Sequence, residues 1–113
     1  MKILHLSLKK DPFEVMVTGE KNIEFRNKTN WIEKRLFNSD GSKKNYDCVK
    51  FTNGYGNNRP NFLCKYYGFF EVEHLNDKIY SNGLIISSDK PLYCIKLGKP
   101  YKINNYKFKL ENE

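Results

Sequence analysis

The hydrophobic positions of the chain fall mostly in short period-two runs. In residues 2–8, Leu4, Leu6 and Leu8 lie on one side, and Ile3, His5 and Ser7 on the other. That is the pattern of a half-buried strand with its leucines inward and His5 a partly buried strand histidine. Asp11-Pro12-Phe13-Glu14 then reads as a helix start over 11–18. Asp11 is placed to cap free amides, Pro12 suits the first helical position and Glu14 completes a capping box. Phe13, Met16 and Val17 form one apolar stripe, and Gly19 supplies the residue that ends the helix. Residues 21–27 alternate again, with Ile23 and Phe25 expected in the core and Asn22, Glu24 and Arg26 on the other face.

Residues 30–37 fit either a helical turn or an irregular connection, with Trp31, Ile32, Arg35 and Leu36 at helical spacing. Residues 38–45 read as a surface loop. A strand over 46–53 carries Val49 and Phe51 on one face, and Gly54-Tyr55-Gly56 opens a loop that closes at Arg59-Pro60. Residues 62–75 are long for one strand, and Gly68 marks a bulge or bend within them. Residues 76–91 read as polar and turn-rich around Asn82-Gly83. Residues 92–98 form a strand with Tyr93, Ile95 and Leu97 inward, and 101–110 alternate through Tyr106, Phe108 and Leu110. Five or six strands, one firm helix and short connections predict a mainly β fold with short helices (α+β), a small curled β-barrel in a single domain over 1–113.

The 113 residues include 8 tyrosines, 8 phenylalanines and one tryptophan, enough rings to fill a small core and exclude disorder as the main state. No apolar run is long enough to cross a membrane and no secretory leader is read, so no membrane partner is expected. Three cysteines, Cys48, Cys64 and Cys94, are odd in number and far apart, which favours free buried thiols in a reducing cytoplasm. With His5 and His74 equally scattered, no metal site and no cofactor are expected. The net charge of +7 has two readings. It is a nucleic-acid signature, or it is codon drift: Phe, Tyr, Met, Ile, Asn and Lys make up 57 of the 113 residues, as an AT-rich bacterial or phage genome would give.

The chemistry-bearing segment is Gly19-Glu20-Lys21-Asn22-Ile23-Glu24-Phe25-Arg26. Glu24 and Arg26 are side by side on one strand face, and Lys21 is expected to be exposed at the helix-to-strand corner. The plain reading is a solvated strand face with a weak ion pair. The functional one is a phosphate- or base-binding cluster, with Arg26 and Lys21 on phosphate and Glu24 orienting Arg26 or accepting from a base. Tyr55 on its glycine-flanked loop is either a stacking platform or a residue packed over the barrel rim. Arg59 offers another phosphate contact and Asn53 borders the loop.

These landmarks, in this order, resemble the ASCH domain, a branch of the PUA-like superfamily. They are Leu6-Ser7-Leu8, Pro12-Phe13, Gly19-x-Lys21, Ile23-Glu24-x-Arg26, Trp31 with Arg35-Leu36, Asn53-Gly54-Tyr55 and Tyr93-Cys94-Ile95-Lys96-Leu97-Gly98. The resemblance covers nearly the whole chain; residues 76–91 and the tail after Lys99 carry no mark of it. It implies a small PUA-like barrel with a cleft lined by Lys21, Glu24 and Arg26. The family is associated with RNA or nucleotide binding. Some small members are amidohydrolases on acetylated cytidine, and others are linked to nuclease activity. In the amidohydrolases a threonine nucleophile stands three residues after the motif lysine, with a glutamate from a later segment. Here Lys21 matches but Glu24 stands at the threonine position, and Glu71 and Glu73 are the candidates for the later acid. The reading is therefore a small binding module for single-stranded RNA or a nucleotide. One alternative is a hydrolase on RNA or a modified nucleoside with Lys21 and Glu24 as acid–base pair. Another is a protein-interaction module.

Overall fold

The computed structural model describes residues 1–108. The chain runs β1 (Ile3–Leu8), α1 (Lys10–Val17), β2 (Ile23–Asn27), α2 (Asn30–Leu36), β3 (Cys48–Asn53), β4 (Asn61–Val72), β5 (Leu75–Ile79), β6 (Ile85–Ser88), β7 (Leu92–Leu97) and β8 (Tyr101–Asn104). The fold is mainly β. Strands β1-β3-β4-β7-β2 form one mixed sheet in that order, β8 adds to β4, and β5 and β6 form a separate hairpin. β1 and β3 are parallel, and the other pairings are antiparallel. In the C-terminal alternation β8 ends at Asn104, and Leu110 lies outside the described residues.

The leucines of β1 are buried as their alternation requires, and Val49, Phe51, Phe62 and Ile95 join them. α1 lays Phe13, Met16 and Val17 into the same core. Each such side chain contributes roughly 1.5–3 kcal/mol of burial. Val15 is buried too, so the apolar face of α1 is wider than the expected stripe. Its N-terminus also differs from expectation. The helix starts at Lys10 behind Lys9, without a side-chain cap, and Pro12 sits in its third position. Neither Asp11 nor Glu14 therefore makes the expected capping bonds. The ambiguous 30–37 segment is helical because Thr29 caps it, accepting from the Ile32 amide at 3.3 Å. His5 is exposed rather than partly buried, since its sheet face is uncovered there.

Strand β4 carries the bend of the sheet. Its register against β7 shifts between Tyr66 and Phe69, around Gly68 at φ +87°. Only glycine adopts that backbone freely, so the bulge falls at the residue that permits it. Its first half pairs with β3 and β8, its second half with β7.

The sheet does not close into a barrel. Among the described residues no backbone ladder joins the two edge strands, β1 and β2. They are bridged instead by a side chain: Arg26 Nη2 on β2 donates to the Ser7 carbonyl on β1 at 2.8 Å. The curl thus brings the edges together and leaves an open seam. Residues 76–91, read from the sequence as turns, contain most of the β5–β6 hairpin, with Asn82-Gly83 in its tip. No helix among the described residues is long and apolar enough to cross a membrane. Cys48, Cys64 and Cys94 are free and buried.

Candidate functional site

Strand β2 presents its faces the opposite way from the sequence expectation. Glu24 pairs across the ladder with Ile95 and Arg26 with Tyr93, so both project to the interior side of the sheet. Glu24 is buried, while Ile23 and Phe25 are only partly so. Ile23 and Phe25 face a cleft that they share with Lys78, Ile79 and Tyr80 of the hairpin, which partly shields the apolar face of β2. The alternation holds, but the polar face is the inner one.

Lys21 is likewise not at an exposed corner. Its backbone amide is tied to the Val15 carbonyl at 2.9 Å, and its side chain has 0% exposure. The ammonium donates to Glu24 Oε1 at 2.8 Å and to Met16 Sδ at 3.5 Å, and stands 5.5 Å from the centre of the Phe25 ring. Glu24 Oε2 accepts from Arg26 Nε at 3.2 Å and from Nη2 at 2.9 Å. The result is a three-residue chain, Lys21–Glu24–Arg26, running from beneath α1 out to the seam. Burying the first two charges is tolerable because each is paired and hydrogen-bonded.

Arg26 is the member that reaches solvent, with its side chain 25% exposed. Nε and Nη2 are committed to Glu24 and the Ser7 carbonyl, whereas Nη1 donates to none of the described residues. A guanidinium locked along one edge and open along the other is preorganised for an anionic or carbonyl acceptor.

Two adjoining clefts meet at this group and share Ser7, Arg26, Gly54 and Tyr55 as a wall. The first, about 590 Å³, adds His5, Thr52 and Trp31. The second, about 460 Å³, adds Lys9, Pro12, Glu24, Asn53 and Ile86. The Tyr55 ring is 88% exposed at the rim, its hydroxyl accepting from Ser7 Oγ at 3.2 Å. Trp31 is 48% exposed, and the Arg35 guanidinium lies 3.5 Å from its ring centre. An aromatic thus flanks Arg26 at the rim and another in the first cleft.

No protein-family model, no curated protein and no solved structure matches the chain.

Of the sequence-derived candidates, the fold brings Glu24, Arg26, Asn53 and Tyr55 around the clefts, with Lys21 behind Glu24. Arg59 lines neither cleft. Its Nε donates to the Asn53 carbonyl at 2.7 Å and so braces the 54–59 loop, while the side chain stays exposed. Glu71 pairs with Lys28 at 2.6 Å, and neither it nor Glu73 lines the clefts.

The sequence reading did not single out Ser7, Lys9, Trp31 or Ile86 as site residues. Ile86 comes from the hairpin, whose tip is docked by two contacts. Glu20 accepts from both the amide and the hydroxyl of Ser81, and Asn82 Nδ2 donates to the Asp11 carbonyl at 3.0 Å. Those Ser81 bonds hold the Glu20 carboxyl below its usual range. Burial, with Glu24 and Glu20 nearby, pushes the Tyr80 hydroxyl up. The Asn82-Gly83 pair marked the turn in the sequence, but not the strands on either side of it.

Proposed function

We propose that the seam cleft binds a nucleotide or single-stranded RNA, with Arg26 on the phosphate or a base acceptor and Tyr55 and Trp31 as stacking surfaces. The observation that carries this reading is the half-committed Arg26 guanidinium, fixed by a buried carboxylate in a cleft that two exposed aromatic rings also line. Guanidinium plus aromatic is a combination that suits both the charged and the flat part of a nucleotide. The net charge of +7 favours an anionic partner. The ASCH resemblance implies a barrel with a cleft lined by Lys21, Glu24 and Arg26; here the sheet stays open and Glu24 and Arg26 line the cleft with Lys21 behind them, so the PUA-like reading rests on the sequence landmarks. Buried, unpaired cysteines fit a cytoplasmic setting.

Binding is favoured over turnover by the state of the acid–base candidates. Both Glu24 oxygens are occupied, and the Lys21 side chain is fully buried and lines neither seam cleft. Lys21 is therefore a positioning residue that acts through Glu24.

The chain's one tryptophan lines the first cleft, so its fluorescence reports on the site directly. Titration with a single-stranded RNA is expected to quench it saturably. Arg26→Ala should weaken the affinity by about 1.5–3 kcal/mol, the value of a charged hydrogen bond. Tyr55→Ala should cost about 1–3 kcal/mol, the value of one stacked base. Chromatography of the RNA alongside should recover it unchanged. Equal affinities for the three proteins would remove the binding reading, and a product whose formation needs Glu24 would replace it with the hydrolase.

A further inference from the structure

The outer face of the sheet begins at the first cleft, which His5, Ser7 and Thr52 line, and its composition follows from the register. His5 on β1 stands beside Lys50 on β3, Lys50 beside Leu63 on β4, and Leu63 beside Tyr101 on β8. The next row is Ser7, Thr52, Asn61 and Asn104, and it starts at the residue that lies under Arg26 and Tyr55. A third row sets Ile3 beside Cys48, which is fully buried and offers no contact, and Cys48 beside Lys65, whose ammonium lies 5.6 Å from the centre of the exposed Tyr67 ring. These three rows contain no carboxylate. Asp47 borders them, with its carboxylate engaged by the Lys2 amide at 2.6 Å.

A face without a carboxylate stands out in a chain with 13 acidic residues. This one carries lysines, amides, hydroxyls and exposed tyrosines. It spans roughly 14 Å from β1 to β8 at the usual strand spacing. Lysines at intervals suit backbone phosphates, tyrosines suit unstacked bases, and the amide row suits base edges. A folded protein partner would favour an apolar centre, which is missing here: Leu63 is the one large aliphatic side chain in the middle of the rows.

We propose that this face is a second binding surface, on which a single-stranded RNA leaving the Arg26 cleft tracks across β1, β3, β4 and β8 past Lys50 and Lys65 towards Tyr101 and Tyr67. The inference rests on the cleft reading and deepens it. It makes the substrate a polymer rather than a free nucleotide, with the cleft holding one nucleotide and the sheet face its neighbours.

The test compares a nucleoside 5′-monophosphate with a single-stranded RNA of about ten nucleotides, within the site size of small single-strand-binding folds. Both are titrated over a salt series into wild type, Arg26→Ala, Lys65→Glu and the double variant Lys50→Ala/Lys65→Ala. The oligomer should bind at least tenfold tighter than the monophosphate. Loss of Lys50 and Lys65 should weaken the oligomer at least tenfold more than the monophosphate, and flatten its logarithmic salt slope by about 1.4, or about 0.7 for each phosphate contact. Lys65→Glu, at an exposed position, should act in the same direction. Arg26→Ala should weaken both ligands. An oligomer that binds no tighter than the monophosphate, while both depend on Arg26, overturns the track and leaves the cleft reading standing. Oligomer binding that depends on Lys50 and Lys65 but not on Arg26 overturns the cleft reading and the continuous path with it. No binding of either ligand overturns both.

Discussion

Glu24 holds two cations with one carboxylate, and their dependence on it is unequal. Lys21 has no other charged partner among its hydrogen bonds, whereas Arg26 also bonds the Ser7 carbonyl and reaches solvent. Glu24→Ala should therefore destabilise the fold by about 3–5 kcal/mol, because it strands a buried ammonium. Lys21→Met should cost less, since Arg26 still neutralises the carboxylate. The combination Lys21→Met/Glu24→Leu should recover part of the Glu24→Ala loss. Urea unfolding midpoints of the four proteins give the ranking, and equal losses for the two single variants would contradict it. The sequence made the Glu24–Arg26 pairing legible through their spacing of two. It did not make the burial legible, because a charged residue beside an apolar one is read as the outward residue unless something is known to cover the other side. The bond from Arg59 Nε to the Asn53 carbonyl was not legible either: a loop's internal hydrogen bonds leave no periodic trace.

The β5–β6 hairpin is the element that changes the reading of β2, and its docking rests on few contacts. Glu20 holds the tip through Ser81, Asn82 reaches α1, and Ile86 closes one side of the second cleft. The Glu20 carboxyl is held below its usual 4.5, so its contribution is present above that value and is lost as pH falls through the lowered one. Hydrogen exchange at residues 79–86 should therefore quicken in Glu20→Ala at neutral pH, relative to the β3–β4 ladder. In the wild type, corrected for intrinsic rates, the same quickening should appear only below about pH 4.5. Unchanged exchange in Glu20→Ala would show that the tip is held by something else. Strands β1, β3, β4 and β7 were legible because they alternate around a large core. The hairpin was not, because its strands face solvent on one side and carry polar residues where a core strand has apolar ones. The barrel expectation failed for a related reason. Alternation reports which faces are buried and says nothing of whether two edges share a ladder.

For the molecule as a whole, burial sets the alkaline limit of stability. It pushes the Cys64 thiol from its ordinary 9.0 to about 12 and the Tyr66 hydroxyl from 10.0 to about 12. Both values are raised on folding, so their contribution is complete below about pH 9 and declines as pH rises towards 12, where the unfolded chain releases these protons first. Thermal midpoints should be level up to about pH 9 and fall above it, and Cys64→Ser should soften the onset of that fall; a midpoint level through pH 11 would contradict the assignment of these groups. The curl that buries them also brings β1 against β2, and the seam between those edges is where Arg26 stands. The central claim is that this seam is the binding site, and NMR tests it most directly on the 13.4 kDa chain. A nucleoside 5′-monophosphate is titrated while the Arg26 Nε–Hε, Trp31 indole and Tyr55 amide resonances are followed. The account predicts that all three shift together and saturably, with the amides of Gly41 and Ser42, which line neither cleft, unmoved. No saturable shift at Arg26, or the largest shifts away from the seam, would contradict it.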